Sequence, residues 1–204
     1  MIPPLPVWIA VTQRVVIDPQ TAERRDALDQ RWGEFLANVG VLPLLLPNSL
    51  PVALSILANV PVSGLLLTGG NSLVACGGDA PERDQLEFEL LALAKRSNWP
   101  VLGVCRGMQV IQTHLGHSLK QISGHVVAVQ EIQIHGQRQN VNSYHTWGNN
   151  EAGPECEVWA KADDGIIKAI RHKDLPWWGM MWHPERIAPF RNRDLAIFRE
   201  VFAL

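Results

Sequence analysis

"WPVLGVCRGMQVIQTHLG", residues 99–116, sets a cysteine between two glycines where an apolar run gives way to a helical pattern. An apolar run from Val101 stops at Cys105, two residues beyond Gly103 and two before Gly107. A short, continuous apolar run suits a strand buried on both faces of a parallel sheet. Beyond it, Met108, Ile111 and Leu115 recur at helical spacing. Cys105 therefore sits at the carboxyl end of a strand, on the turn into a helix, where open α/β sheets receive their ligands. The two glycines relieve crowding where the backbone turns in a strained conformation. The positive end of the helix favours a thiolate, and the turn offers the backbone N–H of Arg106 to an oxyanion. A small cysteine buried in a core satisfies this stretch equally well.

Upstream, short apolar runs alternate with helical patterns, as a parallel sheet with crossover helices requires. "VWIAVTQ" (7–13) reads as a strand. "AERRDALDQRWGEFLANVG" (22–40) reads as a helix with Leu28, Trp32, Phe35, Leu36 and Val39 on one stripe and Gly40 at a left-handed C-cap. "VLPLLLP" (41–47) and "SGLLLTGG" (63–70) read as strands, the first placed at an edge by Pro43. "APERDQLEFELLALAKRSNWP" (80–100) puts Leu86, Leu90, Leu93 and Ala94 on one helical face. After Leu115 the runs shorten and alternate: "HVVAVQEIQI", "QNVNSYH", "ECEVWAKA" and "WWGMMWH" suit antiparallel or mixed strands. A last helix covers "RNRDLAIFREVFAL" (191–204), and "WGNNEAGPE" (147–155) reads as an exposed turn. The expected architecture is α/β: a flavodoxin-like, doubly wound, mostly parallel sheet with a nucleophile elbow, and a small antiparallel hairpin region in the second half. A single domain over residues 1–204 is expected from the length.

Composition excludes several classes of partner. With 18 Lys and Arg against 20 Asp and Glu, the net charge of −2 leaves no basic stripe for nucleic acid or a membrane surface. No apolar run is long enough to span a bilayer, and "MIPPLPVWIAVTQR" lacks the regions of a signal peptide, so a cytoplasmic location is expected. The partner expected by default is a small molecule. Cys76, Cys105 and Cys156 are far apart and odd in number, which suggests neither a disulfide framework nor a zinc knuckle. His114 and His117 share a helical face without a third ligand at useful spacing, so no metal and no cofactor are expected. Gly69-Gly70 and Gly77-Gly78 head no nucleotide-binding pattern. Asp163-Asp164 before Gly165 reads as a hairpin turn, and most of the eight tryptophans as core.

A cysteine nucleophile needs a base and a group that orients the base. "GMMWHPER" (179–186) supplies both: His183 ends an apolar run, Pro184 fixes a turn, and Glu185 stands two residues on, within reach of one imidazole nitrogen. Taken alone, His-Pro-Glu is an ordinary turn with a surface carboxylate. Beside an elbow cysteine it completes a Cys-His-Glu set.

In that order, "GVCRGMQ" (103–109), "VNSYHTWG" (141–148) and "MWHPE" (181–185) resemble the three signatures of class I glutamine amidotransferase-like hydrolases, especially the γ-glutamyl hydrolase branch, peptidase family C26. "LTGGNSL" (67–73) is similar to that family's oxyanion loop, and "PERDQLEFELLALA" (81–94) to its helix before the nucleophile strand. A narrower likeness, carried by "AVTQR", "ERRDALDQRWGEFL", "PLLLPN" and "RHKDLPWWGMMWHPER", is to the γ-glutamyl-CDP-amidate hydrolases.

The resemblance implies that Cys105 attacks a γ-glutamyl carbonyl to form a thioester, that His183 moves the protons, and that Glu185 orients His183. It implies an oxyanion hole from the N–H of Arg106 with that of Gly70 or Asn71. Gln109, with the backbone around Ser143 and Tyr144, would grip the α-amino and α-carboxyl groups, and His145 follows the family pattern. Thr146 and Trp147 depart from it, where members often carry a second histidine and a glutamine. On the narrower likeness, Arg14 and Arg24 or Arg25 are candidates to meet a diphosphate, although the latter two equally suit a solvated helix face. Two other functions share the fold: a glutaminase subunit passing ammonia to a separate synthase partner, and a catalytically silent binding domain.

Overall fold

The computed structural model describes residues 7–204; residues 1–6, part of the opening stretch read for a leader and of the expected 1–204 domain, lie outside the described residues. The chain runs β1 (Trp8–Val11), β2 (Arg14–Ile17), β3 (Arg24–Ala27), α1 (Arg31–Val39), β4 (Leu42–Leu45), α2 (Leu50–Asn59), β5 (Leu65–Leu67), α3 (Pro81–Ser97), β6 (Val101–Val104) and α4 (Arg106–His114). It continues β7 (Lys120–Gln121), β8 (Val126–Ile134), β9 (Gln137–Tyr144), β10 (Trp147–Gly148), β11 (Cys156–Ala162), β12 (Ile167–His172), β13 (Trp177–Met180) and α5 (Asn192–Val201). Short 3₁₀ turns cover Val74–Cys76 and Pro184–Arg186.

Nine strands form one sheet in the order β4-β1-β5-β6-β13-β12-β11-β8-β9. From β4 to β13 every pairing is parallel, and from β13 to β9 every pairing is antiparallel. This is the doubly wound α/β fold with its hairpin region added at one side. Alternate residues of each parallel strand enter opposite cores. Ile9, Val11, Leu66, Leu102 and Val104 pack with Trp32, Phe35, Leu36 and Phe198 of α1 and α5. Ala10, Leu65, Leu67 and Val101 pack with Ala53, Leu86, Leu90, Met108 and Ile111 of α2, α3 and α4. The edge position of β4 agrees with Pro43, whose missing N–H costs a ladder bond only on an inner strand. Gly40 closes α1 at φ 107°, its N–H donating to the Leu36 carbonyl.

Three local expectations need correction. The helix expected over 22–40 begins only at Arg31, because Arg24–Ala27 pairs antiparallel with Arg14–Ile17. The Asp18 carboxylate accepts from the N–H groups of Gln20 and Thr21 and fixes that hairpin's turn, and Leu28 reaches the core from ahead of the helix. Arg24 and Arg25 thus lie on a strand: Arg24 pairs with Glu82, and Arg25 with Glu23 and Asp18. Helix α2 is not anticipated by the pattern, since Ser55 and Asn59 are its only polar residues and it buries only Ala53 fully; with so narrow a polar face it shows no clear 3.6-residue stripe. The exposed turn expected over 147–155 instead opens with β10, paired antiparallel with β7, and buries Gly148, Asn149 and Ala152.

Candidate active site

The carboxyl ends of β1, β5, β6 and β13 lie side by side, so the segments that leave them converge. Cys105 leaves β6 at φ 54°, ψ −106°, its N–H donating to the Met180 carbonyl at 2.7 Å. A non-glycine residue so placed stores roughly 1–3 kcal/mol of strain. The strain therefore sits on the cysteine itself, and the flanking glycines serve another purpose. A Cβ at Gly103 would collide with the Gly107 backbone, and one at Gly107 with the Leu67 carbonyl. The missing side chains let α4 start directly against the ends of β5 and β6. Cys105 is 6% exposed.

His183 follows β13, and its backbone is held from both sides by Asn142, which accepts from the His183 N–H at 2.7 Å and donates to the His183 carbonyl at 2.8 Å. Its Nδ1 meets Glu185 Oε1 at 2.8 Å across the 3₁₀ turn. Burial pushes the imidazole down, but the Cys105 sulfur and then Glu185 outweigh it and leave His183 at about 9. Gly69 leaves room for this ring, since a Cβ there would stand 2.7 Å from His183 Cε1.

The segment after β5 is fastened by its own side chains. Asn71, at φ 56°, accepts from the Val15 N–H at 2.8 Å and donates to the Val15 carbonyl at 2.9 Å, so its amide ties β2 to the loop. The carbonyls of Thr68, Gly69 and Gly70 all accept from the buried Arg83 guanidinium. Arg83 also donates to Glu87 at 3.0 Å, and Glu87 in turn receives the Arg106 guanidinium, which reaches Asp84 as well. Burial pushes both arginines down to about 9, which leaves them charged at neutral pH.

Two cavities flank His183. One, about 230 Å³, is lined by Cys105, Gln109, Tyr144, His145 and Trp147 with the loop Gly70–Ser72. The other, about 250 Å³, lies between Arg14, Trp32, Leu28, Gly69 and Glu185. Gly70, His183 and Arg186 line both, and the Arg186 guanidinium lies 5.4 Å from the centroid of the Tyr144 ring. In the first cavity Gln109 Nε2 donates to the Trp147 carbonyl at 2.8 Å, as does His145 Nδ1 at 2.9 Å. Behind them the buried Lys168 ammonium donates to Ser143 Oγ at 3.0 Å and meets His145 Nε2 at 2.7 Å. Burial takes Lys168 down to about 7; burial and then the Lys168 charge take His145 down to about 3.

Of the residues singled out in the sequence, Cys105, His183, Glu185, Gly70, Asn71, Arg106, Gln109, Tyr144, His145 and Arg14 line one or both cavities. Ser143 lines neither: it is buried beneath, donating to the His125 carbonyl. Arg24 and Arg25 also lie outside both cavities, engaged in surface ion pairs. His117 pairs with Glu155, while Trp177 and Trp182 are core. Pattern reading passed over Asn142, Lys168, Arg186 and the pair Arg83–Glu87. The last had a visible signal: two charges spaced i, i+4 among the leucines of the buried face of α3.

Residues 34–202 match the family described as class-I glutamine amidotransferase, and the chain belongs to it. Among relatives, the γ-glutamyl-CDP-amidate hydrolase of Campylobacter jejuni is 26% identical over 205 residues, covering 97% of this chain and 98% of that one. The γ-glutamyl-γ-aminobutyrate hydrolase of Escherichia coli is 26% identical over 215 residues, covering 86% and 83%. The solved structure of a glutamine amidotransferase from Thermotoga maritima superposes with a TM-score of 0.69 at 16% identity, over 95% of this chain and 83% of that one. No helix among the described residues is long and apolar enough to cross a membrane.

Proposed function

We propose that the chain is a γ-glutamyl hydrolase in which Cys105, His183 and Glu185 act as a catalytic triad. The observation that carries this reading is geometric: His183 is tied to Glu185 at Nδ1 and lines the same cavity as Cys105, whose sulfur, with Glu185, raises the proton affinity of the imidazole. The sulfur attacks the γ-carbonyl carbon, and the charge on the carbonyl oxygen is met by the N–H of Arg106 with that of Gly70 or Asn71. His183 passes its proton to the leaving nitrogen as the C–N bond breaks, leaving a γ-glutamyl thioester. Water then gives its proton to His183 and its oxygen to the thioester carbon, releasing glutamate and the free sulfur. Gln109, fixed by its bond to the Trp147 carbonyl, keeps Oε1 available to accept from the α-ammonium group of the substrate.

The leaving group occupies the second cavity, where Arg14 favours an anionic moiety, while Arg186 is shared with Glu185 at 3.4 Å and Asp29 at 4.0 Å. Together with full-length similarity to a γ-glutamyl-CDP-amidate hydrolase, this supports a γ-glutamyl nucleotide amidate as substrate. Glutamate release should be measured from glutamine, γ-glutamyl amines, folyl-γ-glutamates and γ-glutamyl-CDP-amidate. The nucleotide amidate should give the highest kcat/KM, Arg14→Ala should raise KM for it alone, and Cys105→Ala should abolish release from all. Turnover surviving in Cys105→Ala removes the nucleophile assignment, and equal rates on glutamine and the nucleotide amidate remove the leaving-group assignment. Glutaminase activity that appears only with an added synthase would place the chain as an ammonia-supplying component instead.

A further inference from the structure

We infer that Arg83 and Glu87 are positioning residues that set both arms of the oxyanion site through one buried network, an inference that rests on the hydrolase reading above. The Arg83 side chain has no exposed surface, and its planar fork serves three consecutive carbonyls and a carboxylate at once. In a trans, planar peptide the carbonyl and the N–H that follows it point opposite ways. Drawing the Gly69 carbonyl toward Arg83, at 3.1 Å, turns the Gly70 N–H away from α3, and drawing the Gly70 carbonyl does the same for the Asn71 N–H. Both residues line the cavity that contains Cys105.

The second arm is the N–H of Arg106, at the first position of α4, where a helix leaves its N–H groups unpaired. The side chain of the same residue is held by Glu87 Oε2 and Asp84, while Glu87 Oε1 holds Arg83. One carboxylate therefore couples the loop after β5 to the start of α4, the two segments on either side of Cys105. The cluster holds two guanidinium groups and two carboxylates, so it is neutral as a whole. Buried ion pairs contribute weakly to stability compared with apolar replacements. What this one supplies is orientation, and lysine, a point donor without a fork, cannot reproduce it.

Three variants grade the network: Arg83→Lys, Glu87→Gln and, at its partly exposed end, Asp84→Asn. Two rates are compared in each: turnover of a γ-glutamyl amide, and alkylation of Cys105 by iodoacetamide, a displacement at carbon that builds no oxyanion. Arg83→Lys and Glu87→Gln should lower kcat by about 100-fold, the loss typical of one missing oxyanion donor, with KM and the alkylation rate changed little. Asp84→Asn should lower kcat by only a few fold. Unchanged kcat, or alkylation falling in parallel with kcat in the near-isosteric Glu87→Gln, overturns the assignment, since the network would then serve nothing or merely the fold. A wild-type protein that alkylates at Cys105 yet turns over no γ-glutamyl amide overturns the hydrolase reading, and the inference with it.

Discussion

The His183 ring gains its proton affinity from two neighbours, and each neighbour leaves a separable mark on a pH profile. With the imidazole at about 9, the proton that the proposed mechanism gives to the leaving nitrogen is present through neutral pH, and kcat/KM should fall above about pH 9. Glu185→Gln removes one cause of the upward shift while the Cys105 sulfur remains, so the alkaline limb should move to lower pH with turnover reduced but measurable. His183→Ala should cost several orders of magnitude more, because it removes both proton transfers. Rate–pH curves for the three proteins check this; an unmoved limb in Glu185→Gln would mean that another group sets it. Tautomer logic reaches the substrate wall too. His145 is neutral and its Nδ1–H is committed to the Trp147 carbonyl, so its Nε2 accepts from Lys168, and that carbonyl also fixes Gln109.

The elements that were legible in the sequence are those whose burial is one-sided or complete. Helix α1 shows a stripe because Trp32, Phe35, Leu36 and Val39 are buried while the residues between are not, and β6 shows an unbroken run because both its faces are covered. The β2–β3 hairpin was hidden for the opposite reason: Arg24, Arg25 and Asp26 are all exposed, so nothing alternates. Cys105, His183 and Glu185 could be picked out because the proposed chemistry restricts their residue types, and the structure brings them to the two neighbouring cavities. Lys168 could not, because its contacts depend on where β12 places it against Ser143 and His145, a relation with no local signature. The glycine pattern was visible, yet its cause lies in a close crossing and not in left-handed backbone. Two substitutions separate these explanations. Gly107→Ala should destabilise by roughly 3 kcal/mol, at the upper end of overpacking costs, because the new Cβ meets the Leu67 carbonyl. Gly33→Ala, in α1 with open space around its Cβ, should stabilise by about 0.5–1 kcal/mol. Urea melts of both variants decide it, and a neutral Gly107→Ala would discard the crossing as the reason for that glycine.

At the scale of the whole molecule, two cores on opposite faces of one sheet bring the ends of four parallel strands to a common rim, and the antiparallel extension through β12 and β9 supplies the floor beneath it. That floor holds Lys168 depressed to about 7, while the rim holds His183 raised to about 9. Their effects on folding have opposite signs. The folded state binds the His183 proton more tightly than the unfolded chain does, so its contribution to stability is complete below pH 6.5 and is lost on the way to about 9. The folded state binds the Lys168 proton more weakly, so the penalty for burying that charge is complete below about 7 and is relieved toward 10.5. Over the shared interval from about 7 to about 9, one slope offsets the other. Denaturant melts across that interval should show His183→Ala gaining stability relative to wild type as the pH rises, and Lys168→Met losing it; slopes of the same sign in both variants would refute the pairing. The consequence is a molecule buffered over that interval: between about pH 7 and about 9, a proton taken up at the rim and a proton shed at the floor have opposing effects on the folding equilibrium, although each site alone would tilt it.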